Sequence, residues 1–321
     1  MMSLYLPIGA LVAGMLGLVW GADKFVEGSA SFAKSMGISS LVVGLTVVSI
    51  GTSAPEIIVS INAALKGSSV LAVGNALGSN LANIGLVLGI TLLIAPIPVR
   101  KNLLKEEGLI LSLVTVLAGL CLYNGFLGRA ESLMLVVLVI PLLVLAVKYK
   151  KTQPSTEEPQ NIQAFSRQSA IARFIVGLTV LLISAELTVW SAQSIAQSMG
   201  ISELVIGLTI VAIGTSLPEL AASAMSAARG HHDIAIGNII GSNLFNLLLV
   251  MGAAGAIAPI ALDSLVFARD YIAMAAMTLL VLLMIAVVVR KNNESAKLSK
   301  IAGLLLLCAY CIFYIVLWQT T

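Results

Sequence analysis

Residues 36–56, MGISSLVVGLTVVSIGTSAPE, return 163 positions later as residues 199–219, MGISELVIGLTIVAIGTSLPE, with 16 of 21 positions identical. The same offset, without a gap, pairs Gly74-Asn75 with Gly237-Asn238 and Gly78-Ser79-Asn80-Leu81 with Gly241-Ser242-Asn243-Leu244. It also pairs Asn83 with Asn246 and Pro96 with Pro259. Shared hydrophobicity does not hold register over such a length, so the chain is a duplicated unit.

With 59% hydrophobic and 10% charged residues and a mean hydropathy of +1.05, the chain has more apolar surface than one soluble core can hide. It reads as an all-α membrane protein. A helix needs about 20 apolar residues to cross the hydrocarbon layer, and runs of that kind predict ten spans. They fall near 4–22, 40–65, 69–95, 104–124, 130–148, 170–197, 203–228, 233–258, 269–289 and 300–318. The first is expected to stay, because it lacks a basic leader and runs helically into Asp23-Lys24-Phe25.

Five spans per copy is an odd number, so the second copy must enter the membrane in the opposite direction. The expected organisation is a five-helix repeat at 1–149, a cytoplasmic polar linker at 150–169 and an inverted five-helix repeat at 170–321. Inverted halves with broken helices at the midplane are the architecture of secondary transporters; the bland alternative is a duplicated scaffold with no site. Placing both termini outside leaves only Lys66, Arg129 and Arg269, of 18 Lys and Arg, on the outer side. The net charge of +3 thus reads as orientation anchors, with no nucleic-acid partner. Cys121, Cys308 and Cys311 sit in apolar runs as small hydrophobes, and His231-His232-Asp233 reads as a solvated loop.

Both repeats interrupt an apolar helix with Gly51-Thr52-Ser53-Ala54-Pro55-Glu56 and Gly214-Thr215-Ser216-Leu217-Pro218-Glu219. Proline removes a backbone donor, releasing carbonyls upstream that can coordinate a cation. An ionised acid near the centre of a span costs about 2.5–3.5 kcal/mol and is normally paired. Yet 35–65, 67–99, 174–228 and 230–268 contain no Lys or Arg. The counter-ion for Glu56 and Glu219 must therefore come from water, unless the acids are protonated. Ser79 and Asn83, like Ser242 and Asn246, are four apart and share a helical face that can add neutral oxygens. Gly74, Gly78, Gly237 and Gly241 read as packing residues. An all-oxygen set suits hard cations, Ca2+ above Mg2+, and can alternatively hold several Na+ ions.

The paired Gly-Thr-Ser-x-Pro-Glu motifs, each followed by Gly-Asn-x-x-Gly-Ser-Asn, resemble the alpha-repeats of the calcium/cation antiporter superfamily, specifically prokaryotic sodium/calcium exchangers. The likeness covers nearly the whole chain. It implies a cell-membrane antiporter of ten helices in which Glu56 and Glu219 bind Ca2+ with the backbone carbonyls of Thr52 and Thr215. It implies that Na+ is held by those glutamates with Ser49, Thr52, Ser53, Ser79, Ala212, Thr215, Ser216 and Ser242, while Asn83 and Asn246 line the middle. Potassium-dependent relatives carry Asp at the position of Asn246, which leans against K+ coupling here. Proton-coupled relatives usually replace the Thr-Ser element with Asn, which favours Na+ over H+. The resemblance also implies that the first and sixth helices move against the rest to give alternating access.

The expected substrates are Ca2+ and Na+, with the lipid bilayer as surroundings, no cofactor and no protein partner. The alternatives are a Ca2+/H+ antiporter and a cation channel. An intramembrane hydrolase is disfavoured, because no His lies within an expected span to activate Ser53 or Ser216.

Overall fold

In the computed structural model the described residues are 5–150, 165–201, 210, 212–291 and 296–320. The predicted helix 203–228 and the linker 150–169 lie partly outside them. The helices are α1 (Tyr5–Met36), α2 (Ser40–Thr52), α3 (Ala54–Leu65), α4 (Val70–Ile94), α5 (101–122), α6 (Arg129–Lys150) and α7 (Arg167–Ser198). There follow α8 (Leu217–Ala228), preceded by the single turn Ala212–Gly214, then α9 (His232–Ile257), α10 (Val266–Lys291) and α11 (Lys300–Thr320).

Among the described residues, six helices are long and apolar enough to cross a membrane, and α2 with α3 makes a seventh candidate bent by 45° at its break. Side chains that no soluble protein would display in such number, including Leu16, Leu120, Ile140, Ile183, Leu283 and Ile312, point outward from these helices. Buried Asn, Ser and Glu side chains gather inside instead. Polarity is inverted relative to a soluble protein, as a lipid solvent demands.

Two features depart from the all-α expectation. Ala95 and Ala258, just ahead of Pro96 and Pro259, are extended, because a residue before proline is pushed out of the α region. The chain then forms short strands, β1 (Ile97–Pro98), β2 (Phe126–Leu127), β3 (Ile260–Ala261) and β4 (Lys297–Leu298). β1 pairs antiparallel with β4 and β2 with β3, so each two-stranded ribbon ties one half of the sequence to the other.

The first helix runs through Asp23-Lys24-Phe25, as its sequence implies, and on to Met36. Asp23, Lys24 and Glu27 fall within its 32 residues, and those charges are matched locally. Arg173 donates to Glu27 at 2.7 Å, Lys24 to Glu27 at 3.0 Å, and Arg229 pairs with Asp23 and, at 3.5 Å, with Glu27. Asp23 and Glu27 therefore join an ion network between α1, α7 and the end of α8. Glu186, the mate of Asp23 under the repeat, is exposed on α7.

α1 and α7 pack along their length through glycines. A Cβ on Gly21 would sit 2.6 Å from the Leu181 amide nitrogen, and Gly28 and Gly177 abut the backbones of Phe174 and Phe25. Gly237 on α9 likewise faces the Leu41 carbonyl of α2, at 2.7 Å from a built Cβ, and Gly241 faces that of Leu45, as the packing reading requires, whereas Gly74 and Gly78 have nothing within 4 Å and do not serve close packing. Gly37 and Gly200 end α1 and α7 at φ 62° and 77°, a left-handed conformation that favours glycine.

Gly21→Leu would force α1 away from α7, so thermal unfolding in detergent should show a loss of about 1–3 kcal/mol. Gly9→Leu, where nothing lies within 4 Å, should melt like the parent. Equal melting of both variants would contradict the close packing described.

Candidate functional site

Each broken helix restarts with a glutamate in its first turn, Glu56 in α3 and Glu219 in α8. The break has a local cause. The Ser53 amide bonds to the Ser49 carbonyl at 2.9 Å and that of Ile57 to the Ser53 carbonyl at 3.2 Å, but Pro55 has no N–H to offer Gly51. In the second copy the Ser216 amide reaches Ile213 at 3.1 Å and that of Leu220 reaches Ser216 at 3.0 Å, while Pro218 leaves Gly214 without its donor. The new helix N-terminus, with its positive dipole end, lies beside each acid.

Glu56 and Glu219 are each 0% exposed, and they are close enough for their charges to act on one another. Ser53 Oγ donates to Glu219 Oε1 at 2.9 Å, crossing from the first half to the second. The other three carboxylate oxygens, both of Glu56 and Oε2 of Glu219, are buried with no hydrogen bond. So are both side-chain polar atoms of Asn83 and of Asn246, and the hydroxyls of Ser216 and Ser242. A buried polar atom without a partner costs about 1–3 kcal/mol, more if charged, so this concentration of unmade bonds marks one place in the molecule.

Among the sequence-selected residues, Ser49, Thr52, Ser53, Ser79, Ser216, Ser242, Asn83 and Asn246 are buried and Thr215 is half-buried, and Ser53 bonds directly to Glu219. Ser49 Oγ donates to the Leu45 carbonyl at 2.8 Å, as serines inside helices commonly do. Ala212 lies in the turn before the second break, and its side chain is outside the described residues. Asn83 and Asn246 each open a π-helical turn, Asn83–Leu88 and Asn246–Val250, a distortion common where a helix serves a site.

Sequence reading noted the repeated Asn75/Asn238 and Asn80/Asn243 pairs but gave them no place in the site. Asn75 Nδ2 donates to Ser60 Oγ at 3.2 Å, and 163 positions on Asn238 Nδ2 donates to Ser223 Oγ at 2.9 Å. Asn80 Nδ2 reaches the carbonyl of its own repeat mate, Asn243, at 3.2 Å, so α4 and α9 cross at equivalent positions. The signal was present in the offset, since Ser60 and Ser223 also coincide under it. Their burial beside the broken helices was not.

His231-His232-Asp233 is half-buried instead of solvated: His232 begins α9, Asp233 approaches Arg100 at 4.0 Å, and burial with the nearby Arg229 charge pushes His231 below its usual range. Among the described residues no three His, Cys, Asp or Glu side chains converge, so the site's donors are two carboxylates among hydroxyl, amide and carbonyl oxygens.

A profile of the sodium/calcium exchanger protein family matches residues 6–148 and 169–319. CaxA of Alkalimonas amylolytica, a protein named as an antiporter, is 41% identical over 316 residues, covering 97% of this chain and 98% of its own. The inner membrane protein YrbG of Escherichia coli is 36% identical over 278 residues, with 83% and 84% covered. A solved structure of the sodium-calcium exchanger NCX_Mj, soaked without Na+ and Ca2+, superposes with a TM-score of 0.85 at 33% identity, covering 98% of this chain and 99% of that one.

Binding to the folded state alone stabilises by about 2.7 kcal/mol at a hundredfold excess over the dissociation constant. Ca2+ should therefore raise the melting temperature of the parent protein in detergent and leave that of Glu219→Gln unchanged. An equal shift in both would remove Glu219 from the site.

Proposed function

Because this chain belongs to the sodium/calcium exchanger protein family, we propose that it is a secondary antiporter exchanging Na+ for Ca2+ across a prokaryotic cell membrane. The observation that carries the reading is the trio of buried carboxylate oxygens on Glu56 and Glu219 that no protein group satisfies. Two carboxylates balance one divalent ion. Ca2+ takes six to eight oxygens, and the carbonyls of Thr52 and Thr215 extend the set in a flexible geometry that Ca2+ tolerates better than Mg2+.

Na+ uses an overlapping set: the same glutamates with Ser49, Thr52, Ser53, Ser79, Ala212, Thr215, Ser216 and Ser242, and with Asn83 and Asn246 lining the middle. Shared oxygens make Ca2+ and Na+ occupancy mutually exclusive. That exclusion, together with access from one side at a time, couples the two fluxes.

The proposed scaffold is ten spans in two inverted halves: α1, α2 with α3, α4, α5 and α6, then α7, the 203–228 segment, α9, α10 and α11. Inversion draws support from the ends of the repeat mates α4 and α9. α4 runs into β1, which pairs with β4, and Asp233 at the start of α9 approaches Arg100 on that same side. α9 then ends at β3, paired with β2. The mates thus run in opposite directions. Lys and Arg placement sets both termini outside.

α1 and α7 form the element proposed to move. Their mutual contact is a close glycine-lined face, so the pair travels as one body, and their long apolar outer faces meet lipid, which resists sliding little.

In reconstituted vesicles an imposed Na+ gradient should drive Ca2+ uptake, and a pH gradient alone should not. Uptake driven by the pH gradient alone would assign Ca2+/H+ antiport instead, and Ca2+ flux with no counter-ion would assign a channel. Glu56→Gln and Glu219→Gln should each abolish Ca2+ transport while leaving folded protein, because an amide cannot balance a divalent charge. Lowering the pH should inhibit the parent protein, since protons compete for the same carboxylate oxygens; a rate unchanged into strong acid would contradict the reading.

A further inference from the structure

We infer that Asn238 is a positioning residue for the ion site: its side-chain amide clamps the break of α2 and α3 in one half to α8 and α9 in the other. The inference rests on the cation site proposed above and adds a residue that touches no ion.

Asn238 is 0% exposed, on the inner face of α9. Its Oδ1 accepts a hydrogen bond from Thr52 Oγ1 at 3.1 Å, and its Nδ2 donates to Ser223 Oγ at 2.9 Å. Ser223 is itself 0% exposed and lies one turn beyond Glu219 on α8. One planar amide therefore fixes the residue before the Ser53 break and the helix that carries Glu219. Few side chains could replace it. The junction needs an acceptor on one edge and a donor on the other, and the Asn amide presents both in one plane without charge.

The contact also decides how Thr52 can serve a cation. The Thr52 hydroxyl lies 3.1 Å from Asn238 Oδ1 and 3.4 Å from the Ser49 carbonyl, and the shorter contact favours one side-chain rotamer of Thr52 beside the break. Ser53, the next residue, donates to Glu219 Oε1 at 2.9 Å. Thr52 and Ser53 thus each make a bond across the two halves, and losing the first loosens the frame that aims the second. The amide-to-serine part of the arrangement recurs in the first copy, where Asn75 Nδ2 donates to Ser60 Oγ at 3.2 Å and to the Glu56 carbonyl at 3.5 Å, both within that half. Recurrence at the same offset in both halves is not expected of an incidental bond.

The test is a double-mutant cycle in reconstituted vesicles, reading the Ca2+ concentration for half-maximal Na+-driven uptake, normalised to folded protein. Asn238→Leu should raise that concentration roughly fivefold or more, and Ser223→Ala should raise it in the same direction. The double variant should be no worse than Asn238→Leu alone, because both changes remove one clamp. A residue that merely supports folding would lower the amount of active protein and leave half-saturation unmoved, which would overturn the inference. So would strictly multiplicative effects of the two changes. Should Asn238→Leu fold too poorly to reconstitute, Ser223→Ala alone decides: parent-like half-saturation overturns the clamp. Glu56→Gln, run beside them, separates the two levels. If it transports Ca2+ normally, the site reading itself fails, whereas inactivity of Glu56→Gln beside a parent-like Asn238→Leu defeats only the clamp.

Discussion

Two carboxylates lie in the interior of an apolar molecule, with no ion pair to a Lys or Arg among the described residues. Burying an ionised acid is tolerable only when something pairs with it, and the segments around Glu56 and Glu219 contain no Lys or Arg. Everything near them follows from that constraint. Helices break there, and serines and asparagines replace the leucines of the outward-facing surfaces. Those groups leave many side-chain polar atoms without a hydrogen bond, an arrangement that costs stability.

The duplicated sequence gives a molecule in which equivalent residues meet equivalent surroundings, with informative exceptions. α4 and α9 touch at Asn80 and Asn243, repeat mates, and the two ribbons exchange partners between the copies. Yet Glu219 accepts a hydrogen bond from Ser53 while both oxygens of Glu56 make none. The two acids are therefore held differently, one oriented by a hydrogen bond from the opposite half and one without such a bond. Outside this centre, α1 and α7 pack with each other through glycines and meet the end of α8 through the charges of Asp23, Glu27, Arg173 and Arg229.

Much of this was legible in the residues themselves, because membrane burial and duplication both leave strong marks. A proline and an acid inside an apolar run have few explanations, and finding them twice at one offset leaves fewer. Elements governed by long-range partners were not legible. The continuation of α1 into Asp23-Lys24-Phe25 was legible, but the pairing of Asp23 and Glu27 with Arg173 and Arg229, distant in sequence, was not. The ribbons escaped notice because two-residue strands have no periodicity to read; only the pairing of Ile97 with Leu298 and of Leu127 with Ile260 defines them. Asn75 and Asn238 look like further polar residues of a motif, and their part in joining helices depends on which side chains a buried amide meets.

The central claim is that a metal ion sits between Glu56 and Glu219 and supplies the charge that the protein withholds. Diffraction from crystals soaked first in calcium and then in excess sodium tests it directly. The account predicts density for one divalent ion bridging the two carboxylates, replaced by weaker sodium sites on the surrounding oxygens. Carboxylates turned apart, with no ion density between them in either soak, would contradict it.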